Sequence, residues 1–333
     1  MVNKGPTQNR NVKNLKIALV VPCYNEGEVL GFTVPRLLAL LADLAAEHGC
    51  SSQNFIVLVD DGSADNTWEL ISAAAGQHPR RVRGVRLSCN AGHQAALLCG
   101  LDYATGQCDA AISIDADLQD DLAAIPTMIE KFRLGAELVL GVRESRQVDG
   151  WFKRATAFCF YKLMRGMGVN LVENHADFRL MSANVLRNLR NFSETNLFLR
   201  GLPTLLHRRV AIVTYKRTER LAGETKYPLR KMLALAWDGI TSFTVAPLRI
   251  ISAVGGLVFL ASLFMIAYAV AGVLSEKTLP GWTSVVIPLY LLGGLIMLSI
   301  GVVGEYVGKM FLETKRRPRF LIDTVVGEPK VHE

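Results

Sequence analysis

Short apolar runs alternate with amphipathic stretches over the first 145 residues. Ile17 to Pro22, Phe55 to Val59, Val82 to Leu87, Ala110 to Ile114 and Leu138 to Val142 are brief and mostly β-branched or aliphatic, so each predicts a buried strand. Between them the pattern predicts helices from about Glu28 to Glu47, Thr67 to Ala75, Gly92 to Thr105 and Leu122 to Phe132. Strands alternating with helices make an α/β domain with a mainly parallel sheet. Ligands of such sheets bind beyond the carboxyl ends of the strands. Three of those ends carry polar clusters: Asn25-Glu26, Asp60-Asp61 and Asp115 to Asp117.

The character changes after Asp149. Trp151 to Met167 mixes Trp151, Phe152, Phe158, Phe160 and Tyr161 with Lys153, Arg154, Lys162 and Arg165. An amphipathic helix over about 150–168 can lie in a membrane interface or pack as an ordinary surface helix; the pattern leaves both open. Ile250 to Leu274 is 25 residues without a charge, and Val285 to Gly304 is 20 more. A spanning helix needs about 20 apolar residues, so each run can cross a bilayer. Arg249 precedes the first run, and Lys309, Lys315, Arg316, Arg317 and Arg319 follow the second. Basic flanks stay on the cytoplasmic side, which makes the pair a hairpin with its short link on the other face. The expected organisation is a tail at 1–14, an α/β domain at 15–228, a juxtamembrane amphipathic segment at 229–247, a hairpin at 248–308 and a basic cytoplasmic tail at 309–333.

Composition supports a membrane setting. Half of the 333 residues are hydrophobic, and the formal charge is +7. With two spanning runs present, the basic excess suits anionic lipid and phosphorylated substrates and gives no reason to invoke nucleic acid. Met1 to Leu15 is polar and basic with no apolar core, so it does not read as a secretory signal. The six cysteines lack any Cys-x-x-Cys pair and read as small buried hydrophobes.

Asp115-Ala116-Asp117-Leu118-Gln119 follows a predicted strand. Two carboxylates so placed can share a divalent cation that neutralises a leaving diphosphate. An Asp-x-Asp alone is weak, but it has company. Val21-Pro22-Cys23-Tyr24-Asn25-Glu26 ends the first strand, Asp60-Asp61-Gly62-Ser63 ends the second, and Asn90-Ala91-Gly92-His93 follows the third. As an ordered set these motifs resemble the family 2 glycosyltransferases of GT-A fold. Gly141-Val142-Arg143, Gly150 to Arg154, Asp177-Phe178-Arg179-Leu180 and Arg220 to Tyr227 extend the resemblance to the polyprenyl-phosphate glycosyltransferase branch. Asp120-Asp121 departs from the His/Pro-rich pair often found at that place in the family.

The resemblance implies that Pro22, Tyr24, Glu26 and Asp60 line a nucleoside site. It implies that Asp115 and Asp117 hold Mg²⁺ or Mn²⁺ and the nucleotide-sugar, with Gln119 a further ligand. Arg143, Arg220 and Lys226 would grip phosphates, and Lys153 and Arg154 the lipid phosphate. Asp117, Arg143 and Asp177 would be the catalytic group, with Asp177 a base or a positioning residue. His93 reads first as a helix-start histidine and His175 as a loop histidine. The implied reaction is inverting transfer of a hexose, UDP-glucose being the leading donor, onto undecaprenyl phosphate at a bacterial inner membrane, with the catalytic domain cytoplasmic. GDP-mannose, UDP-N-acetylglucosamine and UDP-aminoarabinose-type donors, a glycolipid acceptor, and a non-catalytic membrane scaffold are the alternatives. The chain lacks the Gln-x-x-Arg-Trp motif usual in processive synthases. Self-association is left open.

Overall fold

The computed structural model describes residues 14–144, 175–192, 194, 209–216, 246–274 and 281–327. The expected interface helix at 150–168, most of the juxtamembrane segment, and Lys153, Arg154, Arg220 and Lys226 lie outside them. Described elements run β1 (Ile17–Cys23), α1 (Gly27–Glu47), β2 (Phe55–Asp60), α2 (Thr67–Gln77), β3 (Val82–Leu87), α3 (His93–Ala104), β4 (Ala110–Ser113), α4 (Ala124–Arg133) and β5 (Leu138–Arg143). They continue with β6 (His175–Ser182), α5 (Ala183–Arg190), β7 (Val210–Tyr215), α6 (Ala246–Leu274), α7 (Trp282–Thr314) and β8 (Ile322–Val326).

Eight strands form one sheet in the order β7-β5-β6-β4-β1-β2-β3-β8. Helices cover both faces, so the central strands bury every side chain. On β1, Ile17, Leu19 and Val21 join the core under α1, α2 and α4. Ala18 and Val20 join the core under α3 and α5. The α3 layer sits so close that a Cβ on Gly100 would lie 2.4 Å from Val20 Cγ1. Helix α1 is apolar enough to span a membrane, with mean hydropathy 1.7. Its Leu30, Leu37, Leu41 and Leu44 are buried in the core, and that burial accounts for the composition.

Two strands break the parallel pattern. β6 runs antiparallel between β4 and β5, pairing Ser113 with Arg179. The chain therefore enters β6 at the edge where β4 leaves, and Asp177 arrives beside Asp115. β8 runs antiparallel to β3, pairing Gly84 with Val326 and Arg86 with Thr324. The basic tail expected over 309–333 thus contains an edge strand of the sheet, and residues 318–327 join the α/β unit. Four of its five residues are β-branched, but so short a run among charged and turn residues does not by itself separate a strand from a tail. Arg319 helps to seat it, donating from Nε to the Glu194 carbonyl at 2.7 Å and from Nη2 to the Phe192 carbonyl.

Residues 246–274 and 281–317 belong to the second compact unit. α6 has 29 residues and α7 has 33. At 1.5 Å per residue both exceed the roughly 30 Å of a bilayer core. The window Leu291–Thr314 has mean hydropathy 1.7 and none of it is buried. Leu257, Phe264, Leu291 and Met297 are each about 70% exposed, a contiguous apolar surface that water disfavours. α6 starts four residues before the expected Ile250, and α7 extends beyond the expected 285–304 at both ends. Helix survives past the uncharged run because Glu305 and Lys309 pair across one turn at 3.9 Å.

Val326 leans on Gly84, where a Cβ would come within 2.8 Å of Val326 Cγ2. Val326→Asp is therefore expected to destabilise the catalytic unit by about 1–3 kcal/mol, since a carboxylate would lose water there. Thr324→Val, at an exposed position of the same strand, is the control, and chemical denaturation monitored by tryptophan fluorescence reads both. Equal stability of the two variants would detach β8 from the domain.

Candidate active site

The loop after β1 is shaped by the loop after β2. Asn25 has φ +53°. Its N–H donates to Ser63 Oγ at 2.9 Å, and its Oδ1 accepts from the Ala64 N–H at 2.9 Å. The Glu26 N–H donates to Thr67 Oγ1 at 2.9 Å, and the Gly27 N–H donates to Asp65 Oδ2 at 3.0 Å. A Cβ at position 27 would fall 2.0 Å from Asn66 Oδ1 and 2.9 Å from Asp65 Oδ2, so a larger residue would displace those side chains. These bonds hold Tyr24 half exposed at the strand end, while Pro22 is buried within β1.

The adjacent aspartates of β2 divide their work. Asp60 is fully buried. Its Oδ1 accepts from the Ser63 N–H at 3.1 Å. Its Oδ2 faces Arg86 Nε at 3.7 Å and has no hydrogen-bond partner among the described residues. A buried acceptor left open in this way is a place for a ligand N–H. Asp61 instead accepts from the Ala91 and Gly92 N–H groups at 2.8 and 3.0 Å. Burial raises its pKa, and those two bonds counter the rise. Asp61 thereby fixes the turn that starts α3 and presents His93.

Beyond β4 the chain makes a tight turn. Leu118 takes φ +46°, unusual for a residue with a branched side chain. Thr33 on α1 donates to the Ala116 carbonyl at 2.6 Å, tying the turn down. Gln119 is buried and donates its amide N–H to Asp117 Oδ2 at 2.6 Å. That bond uses Gln119 to orient Asp117. Asp177 enters from β6: Ser113 Oγ donates to its carbonyl, and Arg179 Nη2 binds its Oδ1. His93 Nε2 lies 3.8 Å from Asp115 Oδ1 and 3.7 Å from Asp177 Oδ2. Burial pushes the Asp115 carboxyl up to about 6. Asp120, Asp177 and Asp117 add to the rise, and His93 opposes it.

Asp120 anchors the opposite wall. It is buried, and its Oδ1 accepts from the Tyr215 hydroxyl and from Arg143 Nη2 at 3.3 Å. Arg143 Nε also donates to the Tyr215 hydroxyl at 3.1 Å. Burial and Asp120 raise the Tyr215 pKa, so the phenol stays protonated. Burial works against the Arg143 charge, yet Tyr215 and Asp120 hold its pKa above the ordinary value. β5 and β7 thus deliver one cation to the site, partly exposed and tethered.

The described part of the expected site falls into two groups along one sheet edge: Pro22, Tyr24, Glu26 and Asp60 at β1 and β2, and Asp115, Asp117, Gln119, Asp177 and Arg143 at β4, β6 and β5. His175 opens β6. Four contributors escaped the sequence. Asp61 and His93 stood inside quoted motifs without a role. Asp120 stood out as a departure, and Tyr215 gave no signal. Cys89 is exposed, against the expectation that the cysteines are buried; Cys23, Cys50, Cys99 and Cys108 are buried.

Among the described residues no three His, Cys, Asp or Glu side chains form a ready cage for a metal. The donor set still fits a divalent cation held jointly with a ligand. Asp115 and Asp117 are oxygen donors at a strand end, and the crowding that raises Asp115 is what a cation would relieve.

An α/β sheet with acidic and polar loops gathered at its carboxyl edge is an arrangement of GT-A type. The family described as Glycosyl transferase family 2 matches residues 18–190, and the chain belongs to that family and is a glycosyltransferase. It is 46% identical over 311 residues to an uncharacterized glycosyltransferase, YkoT, of Bacillus subtilis, covering 92% of this chain and 91% of that one. It is 40% identical to a prophage bactoprenol glucosyl transferase homolog of Escherichia coli, covering 93% of this chain and 99% of the relative. Among solved structures, a Pyrobaculum calidifontis mannosyltransferase in complex with GDP-Man and Mn²⁺ is similar at 16% identity and TM-score 0.42, over 93% of this chain and 88% of that one.

The Asp115 shift has a consequence for stability. The folded protein keeps this proton in a range where the unfolded chain has lost it, so stability is lost as pH rises from 3.8 to about 6. In chelator at pH 8, Asp115→Asn should therefore raise Tm by about 2–4 °C, and the gain should shrink as pH falls through 6. Added Mn²⁺ should raise the Tm of the wild type and not of the variant. A variant less stable than the wild type at pH 8 would contradict the crowded-carboxylate account.

Proposed function

We propose that the protein transfers a hexose from a nucleotide-diphosphate sugar, with UDP-glucose as the leading donor, to undecaprenyl phosphate with inversion at the anomeric carbon. The Asp115-Asp117-Asp177 cluster at the sheet edge carries this reading. The name of the 40% identical relative supports a bactoprenol acceptor, and the exposed apolar faces of α6 and α7 support a site at a membrane.

In this mechanism the open Oδ2 of buried Asp60 receives an N–H of the base, and Tyr24 and Glu26 flank the nucleoside. Asp115 and Asp117 would hold a divalent cation, Mg²⁺ or Mn²⁺, beside the donor diphosphate, and Gln119 keeps Asp117 aimed. The cation, when bound, offsets the charge that builds on the departing nucleoside diphosphate. Arg143 supplies fixed positive charge to the same leaving group, with Asp120 and Tyr215 preventing it from swinging away. A phosphate acceptor is already anionic near neutral pH, so Asp177 has little proton to remove. Its role is to orient the attacking oxygen opposite the leaving group. Lys153, Arg154, Arg220 and Lys226 are the further basic groups of this proposal, at the lipid phosphate and the donor diphosphate respectively. α6 and α7 would form the membrane hairpin, with the catalytic domain and the tail both cytoplasmic.

The test is a donor screen on membranes containing the protein, with undecaprenyl phosphate as acceptor and the lipid product identified by mass. A hexosyl phosphoryl undecaprenol from UDP-glucose is expected. Asp117→Asn, which replaces a carboxylate by a neutral amide, should lower turnover by about 100-fold or more without loss of fold. Full turnover in excess chelator would remove the cation from the mechanism, and transfer only to a non-phosphorylated lipid would replace the acceptor.

Membrane topology is tested separately. Single cysteines placed at 276–283 should be labelled only from the non-cytoplasmic side, and cysteines beyond 315 only from the cytoplasmic side. Labelling of the tail from outside would reject the hairpin.

A further inference from the structure

His93 has a place in the site that neither the sequence motifs nor the donor-binding roles account for. It is the first residue of α3, and its side chain is about half exposed. Its turn is held from below by Asp61, through the Ala91 and Gly92 N–H groups. A backbone-bonded helix-start histidine would point its ring back at its own turn. This ring instead points across the sheet edge, and one nitrogen, Nε2, lies 3.8 Å from Asp115 Oδ1 and 3.7 Å from Asp177 Oδ2.

The Asp177 side shows why that matters. Its carbonyl is held by Ser113 Oγ, and its Oδ1 by the fully buried Arg179. Oδ2 is the oxygen that lies 3.7 Å from His93 Nε2. Two carboxylates this close repel, and the raised Asp115 pKa records that Asp177 is one of the groups responsible. The Nε2 edge of the ring, too far from either oxygen for a hydrogen bond, offsets the repulsion electrostatically from between them. Neutral imidazole with its proton on Nε2 is sufficient, so no change of charge is involved.

We propose that His93 is a positioning residue that fixes Asp177 Oδ2 and sets its spacing from Asp115, so that donor and acceptor sides of the site stay in register. The inference rests on the glycosyl-transfer reading of the same site. His93 acts through Asp177, and Asp61 acts through His93. Without the ring, Asp177 would keep its Arg179 contact but rotate away from Asp115, and the attacking oxygen would lose its guide.

The purified full-length protein in detergent, with UDP-glucose and undecaprenyl phosphate, gives the kinetic test. His93→Ala is expected to lower kcat by about 10–100-fold while the donor KM stays within about threefold, as a misplaced guide costs rate more than binding. His93→Gln puts an amide N–H where Nε2 was and should recover most of kcat; His93→Asn, which mimics the other ring nitrogen, should not. A kcat for His93→Ala within threefold of the wild type overturns the proposal. So does a loss carried by donor KM, or equal loss in the Gln and Ala variants with Tm unchanged. A second measurement does not depend on the acceptor. With ¹⁵N-histidine labelling, the His93 ring signals, assigned by their loss in His93→Gln, should shift in Asp177→Asn. Unshifted signals overturn the contact. A shift in a protein that makes no lipid-linked sugar would leave the contact standing and overturn the reaction.

Discussion

The gathering of Asp115, Asp117, Asp120 and Asp177 at one sheet edge governs this site, and much of the domain works to hold them in place. Burial is the first cause of the rise of Asp115 to about 6, and the neighbouring carboxylates add to it. Each is therefore held by something specific. Asp177 has buried Arg179, Asp117 has Gln119, Asp120 has Arg143 and Tyr215, and Asp115 faces His93. Such a cluster costs stability in the free protein, and a cation would recover that cost on binding. The same crowding that strains the fold makes the edge a ready site for a metal–diphosphate.

The crowding exists because β6 is antiparallel. A purely parallel sheet would bring only strand ends to this edge. Inserting β6 between β4 and β5 brings a strand beginning there, and Asp177 with it. The loops then brace one another in sequence: Ser63 and Asp65 shape the turn after β1, and Asp61 shapes the turn before α3. An interior this closely packed, with Gly27 and Gly100 chosen for contact, leaves those loops little freedom. Preorganised dipoles and charges of this kind need no rearrangement when a reaction begins.

The proposed acceptor is a lipid, and the chain divides accordingly into a unit that does chemistry and a unit of two exposed apolar helices. The chain then returns, contributing β8 to the catalytic sheet. The tail strand covers an edge that would otherwise be open to pairing with another chain.

The local pattern by itself determined the alternation of strands and helices, the apolar runs and the acidic clusters at the strand ends, because periodicity and strand-end punctuation are local properties. Ile17 to Pro22 needed nothing but β-branched residues and a turn to be read as a strand. Asp115-Ala116-Asp117 needed its strand and its companion motifs to be read as a site. The tertiary structure alone decided the rest. Only pairing between distant segments could make β6 antiparallel or recruit β8 from beyond α7. Only folding could separate Asp60, which keeps an oxygen open, from its neighbour Asp61, which spends both on backbone. Tyr215 and Asp120 are 95 residues apart, and the bond between them has no trace in either neighbourhood. His93 reads as a helix start in sequence and faces two carboxylates in space. Side-chain direction depends on what packs on the other side, and the chain specifies that only once it is folded.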